Sequence, residues 1–254
     1  RAPSWLESAR AAATFVRSTL WDDQRRVLLR RYRGGRAAID GYSEDYAFVV
    51  WGLLELFQAD ADPTWLEWAL RLQARQDELF WDAAAGGWFN TTGQDLSVLL
   101  RLKEDYDGAE PSASSVSVMN LLTLSHLTGD AGAGEKVEQT LRRLGSKLGQ
   151  AARVVPMMMS ALSTYHAGMR QLVIIGHPDA EDTRAMRAAV SEIYLPFAVT
   201  IMVEPGAHQA RLAKALPFVE PMTMRDGRAT VYVCRNFTCQ EPVTTVDGLR
   251  AQVW

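Results

Sequence analysis

Two kinds of apolar pattern alternate along the first two thirds of this chain. In one, hydrophobic residues recur at helical spacing on a single face. Trp65, Trp68, Leu72, Gln76 and Leu79 mark one side of such a segment, and Glu67, Arg71, Arg75 and Glu78 mark another. A stripe of this kind predicts an amphipathic helix. Trp5, Ala9, Ala12, Val16 and Leu20 repeat the design, as do Val137, Leu141, Leu144 and Leu148. In the other kind, Tyr46 to Phe57, nearly every position is apolar, which predicts a helix enclosed on all sides. Val116 to Leu127 is a weaker version, interrupted by Ser117, Asn120 and His126.

These segments repeat. Ser4-Trp5-Leu6-Glu7-Ser8-Ala9 returns sixty residues later as Thr64-Trp65-Leu66-Glu67-Trp68-Ala69. The same offset carries Leu20-Trp21-Asp22 onto Phe80-Trp81-Asp82. A fainter match, sixty-eight residues apart, joins Leu53, Leu54 and Leu56 to Leu121, Leu122 and Leu124. A fixed ungapped period marks a repeated supersecondary unit, here a helical hairpin. Enclosed helices alternating with amphipathic ones predict an inner and an outer layer, with a plain solenoid as the alternative. Between the first two repeats, the run from Arg25 to Arg33 with Arg36 reads as an extended segment or hairpin. Its arginines form either an anion site or, the favoured reading, a solvated face with acidic neighbours.

Near residue 170 the pattern changes period. Residues 171–175, 198–203 and 229–233 are short apolar runs bounded by Gly, Pro and Asp, which predict strands. Asp179 is a candidate N-cap for an amphipathic helix reaching about Ile193, residues 207–216 read as a short helix, and Thr245 as the cap of a last one. Alternating strands and helices point to parallel βαβ units. The chain therefore divides into residues 1–169, built of helical hairpins, and residues 170–254, a small α/β domain. Gly176 stands in no Gly-x-Gly-x-x-Gly frame, so no dinucleotide is expected.

Composition narrows the classes. A net charge of −3 gives no reason to expect nucleic acid or an anionic membrane as partner. No apolar run approaches the roughly 18 residues of a membrane-spanning helix. The chain opens at Arg1 and enters a helix within a few residues, so it is expected to be the C-terminal part of a larger protein. Two cysteines exclude a disulfide-built scaffold and favour a reducing, cytoplasmic setting. Cys234 and Cys239 read first as free thiols, then as a disulfide or redox pair, and last as metal ligands.

Four segments resemble one family closely: Gly41-Tyr-Ser-Glu-Asp-Tyr-Ala47, Leu79-Phe-Trp-Asp82, Gly86-Gly-Trp-Phe89, and Arg101-Leu-Lys-Glu-Asp-Tyr-Asp-Gly-Ala-Glu-Pro-Ser112. The family is that of spermatogenesis-associated protein 20 and its bacterial homologues, and the resemblance runs on through Tyr232-Val-Cys-Arg-Asn-Phe-Thr-Cys239. It implies an N-terminal thioredoxin-like domain, absent here, followed by a six-hairpin α/α barrel of the glycosidase and N-acylglucosamine 2-epimerase type. The expected fold class is thus mainly α: a partial (α/α)6 six-hairpin barrel followed by a small C-terminal α/β domain. A bacterial homologue is the expected source.

Two acidic loops carry the candidate chemistry. Ser43-Glu44-Asp45-Tyr46 precedes one inner helix and Glu104-Asp105-Tyr106-Asp107-Gly108-Ala109-Glu110 precedes the next. Equivalent positions in successive hairpins share a rim, so these carboxylates are expected to gather at one mouth. Paired carboxylates suit glycoside chemistry, one protonated as general acid and one ionised, because crowded like charges push their pKa values apart. The reading assigns Asp45, Asp107 and Glu110 to catalysis, and Glu44, Tyr46, Asp105, Tyr106 and Trp88 to substrate contact. A structural account also stands, since acidic residues favour helix N-termini. Tyr42 and Trp81 flank the loops too, and Trp81, recurring as Trp21, reads as packing.

None of His126, His166, His177 and His208 has a histidine three or four residues away, so no helical metal pair is present and neither metal nor cofactor is expected. The resemblance to epimerase barrels makes His126 the one tempting histidine, though a structural role is the favoured one. The expected function is a carbohydrate-active or sugar-binding protein using the acidic rim, taking a sugar or other small polar ligand and working with the absent N-terminal part of its own chain. The alternative is a noncatalytic interaction or redox-partner scaffold.

Overall fold

A run of arginines and apolar residues, stopped by two glycines, shapes the first part of the chain differently from a bundle of helices. In the computed structural model, which describes residues 3–94 and 98–253, helix α1 (Pro3–Phe15) passes into a π-helical turn at Val16–Leu20 and then into an antiparallel sheet. Strands β1 (Trp21–Asp22), β2 (Val27–Arg33) and β3 (Arg36–Asp40) lie in that order. Trp21 pairs with Leu28, and Arg31 with Ala38. Gly34 and Gly35 have φ of 57° and 75°. These left-handed values are what a two-residue hairpin turn needs, and glycine reaches them without a steric penalty. Only Val27 and Leu28 of β2 are buried; its arginines lie on the open surface.

Helices α2 (Ser43–Asp60) and α3 (Pro63–Phe80) form an antiparallel hairpin. Ala61, left-handed at φ 61°, closes α2 by donating its N–H to Phe57 O at 2.7 Å. Asp62 opens α3, its carboxylate accepting the Thr64 N–H at 2.9 Å, with Pro63 at the first helical position. Tyr46, Ala47, Val50, Leu53 and Phe57 are at most 2% exposed. Phe48, Val49 and Trp51 are half-buried and Gly52 and Glu55 exposed, so α2 is enclosed on one broad face only. Helix α4 (Ala113–Thr128) lies beside it, with Asn120 Nδ2 donating to Ala47 O at 2.9 Å. Helices α5 (Ala131–Ala151) and α6 (Pro156–Ala167) follow.

The chain separates into two compact units, residues 1–121 with 132–162, and residues 122–131 with 163–254. The second unit is built on a four-stranded sheet of order β5-β4-β6-β7. Strand β4 (Arg170–Ile175) leads through α7 (Glu181–Glu192) to β5 (Ala198–Val203), parallel to it in register Arg170↔Ala198 to Ile175↔Val203. Leu172 to Ile175 are at most 1% exposed, as expected of a strand covered on both faces. Helix α8 (Ala207–Leu212), strands β6 (Thr230–Arg235) and β7 (Thr238–Cys239), and helix α9 (Val246–Val253) complete the unit. Thr245 does cap α9, accepting the Gly248 N–H at 3.1 Å.

Three expectations need correction. The fold class is not mainly α with a partial (α/α)6 barrel. Over the described residues the protein is an α/β mix, 54% helical, with a three-stranded sheet as well as a four-stranded one. The run from Arg25 to Arg33 with Arg36, expected as an extended segment or hairpin, is β2 with β3, and β1 adds a third strand beside β2. Next, β6 runs antiparallel to β4, Ile175 facing Thr230 and Arg170 facing Arg235. A parallel return needs a long crossover. Here α8 has six residues, and the left-handed turn at Asp226 and Gly227, φ 52° and 68°, sends the chain back. Finally, Cys234 and Cys239 are not free thiols but a disulfide, bridging directly opposed residues of β6 and β7.

Candidate functional site

One asparagine draws the two acidic loops together. Asn90 accepts the Ser43 N–H on its main-chain oxygen at 3.0 Å and the Glu104 N–H on its side-chain oxygen at 3.1 Å. It thus ties the first turn of α2 to the loop ahead of α4. That loop is anchored upstream by Lys103, whose ammonium donates to Asp82 Oδ2 at 2.7 Å and Gly86 O at 2.6 Å. The Lys103 hydrogen bond holds the Asp82 carboxyl below the usual carboxylate range. Arg101 donates to Thr91 O at 3.0 Å, with its guanidinium 4.1 Å from the centre of the Phe89 ring.

On the other loop, Asp45 closes a capping box: its Oδ2 accepts the Tyr42 N–H at 2.7 Å. Arg30 reaches over from β2 to Glu44 at 3.0 Å and Asp45 at 3.5 Å, lying 4.1 Å from the centre of the Tyr42 ring. Burial raises the Asp45 carboxyl above its ordinary value. The Tyr42 N–H and Arg30 pull the other way, while Glu44 and Glu110 push up. Glu104 is raised as well, first by partial desolvation against the loop and then by Glu44, Glu110 and Asp107. Carboxylates from both loops therefore share one electrostatic neighbourhood, with the exposed rings of Tyr42 and Tyr106 on the same two loops.

Besides Asp45 in its capping box, four of the expected site residues are engaged in holding the fold. Asp107, 7% exposed, accepts the Ser112 N–H at 2.9 Å and the Met157 N–H at 2.8 Å, so it caps the start of α6. Asp105 forms a two-pronged pair with Arg143, at 2.7 and 2.9 Å. Tyr46 is buried and its hydroxyl accepts the Leu28 N–H at 2.8 Å. Trp88 is buried, donates to Asp77 at 2.8 Å and meets Trp81 edge-on at 4.8 Å. Glu44, Asp45, Glu110 and Tyr106 remain at the surface between the loops. Glu104, Arg30, Tyr42 and Asn90 join them; only their places in the loops and the arginine run hinted at this. Among the described residues no group of His, Cys, Asp and Glu is arranged to hold a metal. His126 accepts the Met169 N–H at 3.4 Å and contacts Leu122 O at 2.8 Å, which ties its ring to main chain. No described helix is long and apolar enough to cross a membrane.

The coupling sets a pH dependence. With Asp45 and Glu104 raised, the folded chain holds protons that the unfolded chain has released over the window between the ordinary and raised values. Stability contributed by these groups is therefore full below that window and falls as pH rises through it. Glu110→Gln, at an exposed position, should lower the titration midpoints of both Asp45 and Glu104, measured by carboxyl-carbon NMR. Unchanged midpoints would show that the loops do not share a field.

No protein-family model matches the chain. It is similar to three mammalian proteins, each named spermatogenesis-associated protein 20. The rat protein is 44% identical over 213 residues, covering 83% of this chain and 27% of its own length. The mouse protein is 40% identical over 256 residues, covering 96% of this chain and 32% of its own length. The human protein is 38% identical over 254 residues, with the same coverage of both. The chain thus spans about a third of the length of the curated relatives it matches.

Proposed function

We infer that this chain, homologous over most of its length to spermatogenesis-associated protein 20, is the C-terminal part of a bacterial member of that family, and that its acidic rim binds a polyhydroxylated ligand such as a sugar. The observation that carries the reading is the pair of raised carboxyls, Asp45 and Glu104, from separate loops beside Glu44 and Glu110. A raised carboxyl keeps its proton to higher pH than an ordinary one and can donate it in a hydrogen bond, and carboxylate oxygens accept from hydroxyls. Tyr42 and Tyr106 offer ring faces to the apolar side of a sugar ring. With one carboxyl protonated and one ionised, the same set suits acid–base chemistry on a glycosidic bond. A thioredoxin-like domain in the preceding part of the full-length protein belongs to the same proposal, through the family resemblance. So does a cytoplasmic setting.

The test uses the full-length protein, screened by thermal shift and calorimetry against mono- and oligosaccharides, beside Glu104→Gln and Glu110→Gln. The expected result is a saccharide that stabilises the parent and loses about tenfold in affinity on either substitution, the effect of one charged hydrogen bond. A saccharide shift that survives both substitutions would remove these acids from the site. Turnover abolished with binding retained would name the catalytic carboxyl. A second reading, a noncatalytic scaffold, is favoured by the capture of Asp105 and Asp107 in structural bonds. Saccharide binding without turnover would select it.

A further inference from the structure

In the second unit, β4 and β6 set two arginines face to face. Arg170 and Arg235 are direct cross-strand partners in the antiparallel register, so their side chains leave the same face of the sheet. Like charges in that position oppose pairing. Among the described residues neither guanidinium has a carboxylate partner, although Arg225 and Arg250 of the same unit do. Each is instead pinned by a main-chain carbonyl. Arg170 Nη1 donates to Val253 O at 3.1 Å, and Arg235 Nη2 donates to Ala167 O. A guanidinium carries five N–H donors, so most of both forks is left over.

Both side chains line one cavity of about 240 Å³, with Gly168, Tyr194, Pro196 and Phe197 among its other walls. The positions are held from several sides. Arg235 ends β6 just before a two-residue turn, Asn236 and Phe237 at φ 50° and 61°, closed behind by the Cys234–Cys239 disulfide. Gly168 is left-handed at φ 68°, and a β-carbon there would sit 3.4 Å from Arg235 Nη2. Two fixed cations beside an apolar and aromatic wall recognise a planar or tetrahedral oxyanion through charged, forked hydrogen bonds.

We propose that the Arg170–Arg235 pair and its cavity form a binding site for a small oxyanion, a phosphate or carboxylate carried on a compact apolar body. The site belongs to the second unit alone and does not depend on the acidic rim. Calorimetry and NMR on the 254-residue chain would use inorganic phosphate, phenyl phosphate and benzoate, with benzyl alcohol as the uncharged control. Phenyl phosphate or benzoate should bind more tightly than inorganic phosphate, and whichever leads identifies the headgroup. Arg170→Gln and Arg235→Gln should each weaken that binding by about tenfold or more, as loss of a charged fork predicts. Without added anion at low salt, either substitution should raise the melting temperature, because it relieves the facing charges. Benzyl alcohol binding as well as benzoate, no detectable binding of any oxyanion, or affinity unchanged in both variants would overturn the proposal. A fall in melting temperature with oxyanion affinity unchanged would assign the arginines to structure alone.

Discussion

Asp107→Ala should cost the first unit about 2–4 kcal/mol, the range for a buried charged acceptor whose donors are left unpaired. The carboxylate is 7% exposed and serves two places at once. One oxygen takes the Ser112 N–H just ahead of α4, and the other takes the Met157 N–H in the first turn of α6. Alanine leaves the buried Ser112 amide and the part-buried Met157 amide without an acceptor and removes a negative charge from the positive end of a helix. Asp107→Asn keeps the shape but presents an NH2 group to one of two donors, so it should fall between parent and alanine. Urea denaturation followed by tryptophan emission reads the right unit, since every tryptophan except the terminal one lies between residues 5 and 88. A change for alanine below about 0.5 kcal/mol, the scale of an ordinary surface substitution, would refute the capping role.

Gln76→Leu should be comparably damaging, about 2–4 kcal/mol, although it exchanges a buried amide for a better hydrophobe. Gln76 has no exposed surface. Its Nε2 reaches Ser43 O at 2.9 Å, Ser43 Oγ at 3.1 Å and Ser117 Oγ at 2.8 Å, and its Oε1 accepts from Gln73 at 3.0 Å. One amide therefore joins α2, α3 and α4, and the chain of bonds runs on through Gln73 to Asp77, which also holds Trp88 and Lys136. Leucine would strand several of these groups. Ser117→Ala in the Gln76→Leu background should cost less than it does alone, because the two changes remove one interaction. Strict additivity in the double-mutant cycle would mean that the network is not a unit.

How much of this could be read from the chain depended on what each element rests on. The helices α2 and α3 follow from local periodicity, and residues 171–175 and 198–203 from apolar runs that must be covered. Where partners decide, the pattern was silent or misleading. Trp5 and Trp65 occupy matching places in a repeated motif, yet one is 75% exposed and the other 8%. The repeat preserves a face, and only tertiary structure determines whether anything covers it. The hairpin of β2 and β3 was legible in the run from Arg25 to Arg36, whereas β1, two residues long, offers no pattern to read. The direction of β6 depends on the length of its connection, which β-propensity does not encode. At the acidic rim, Glu104 and Asp107 stand three residues apart with the same chemistry. Which one stays open is settled by Met157, fifty residues further on, and by Asn90 behind them.

The place of β5 at the end of its sheet has a consequence for the behaviour of the chain at high concentration. Ala198-Val-Thr-Ile-Met-Val203 holds six residues without a charge or a proline. Among the described residues one side of its backbone is paired with β4 and the other meets no strand. An uncharged, β-branched edge is a template for a second chain and, if stacked, for a cross-β ladder. Pro196 stands just before it and Glu204-Pro205 just after, and these gatekeepers limit how far intermolecular pairing can extend. During refolding this short strand and its flanks, more than the long helices, present main-chain groups for pairing with another chain.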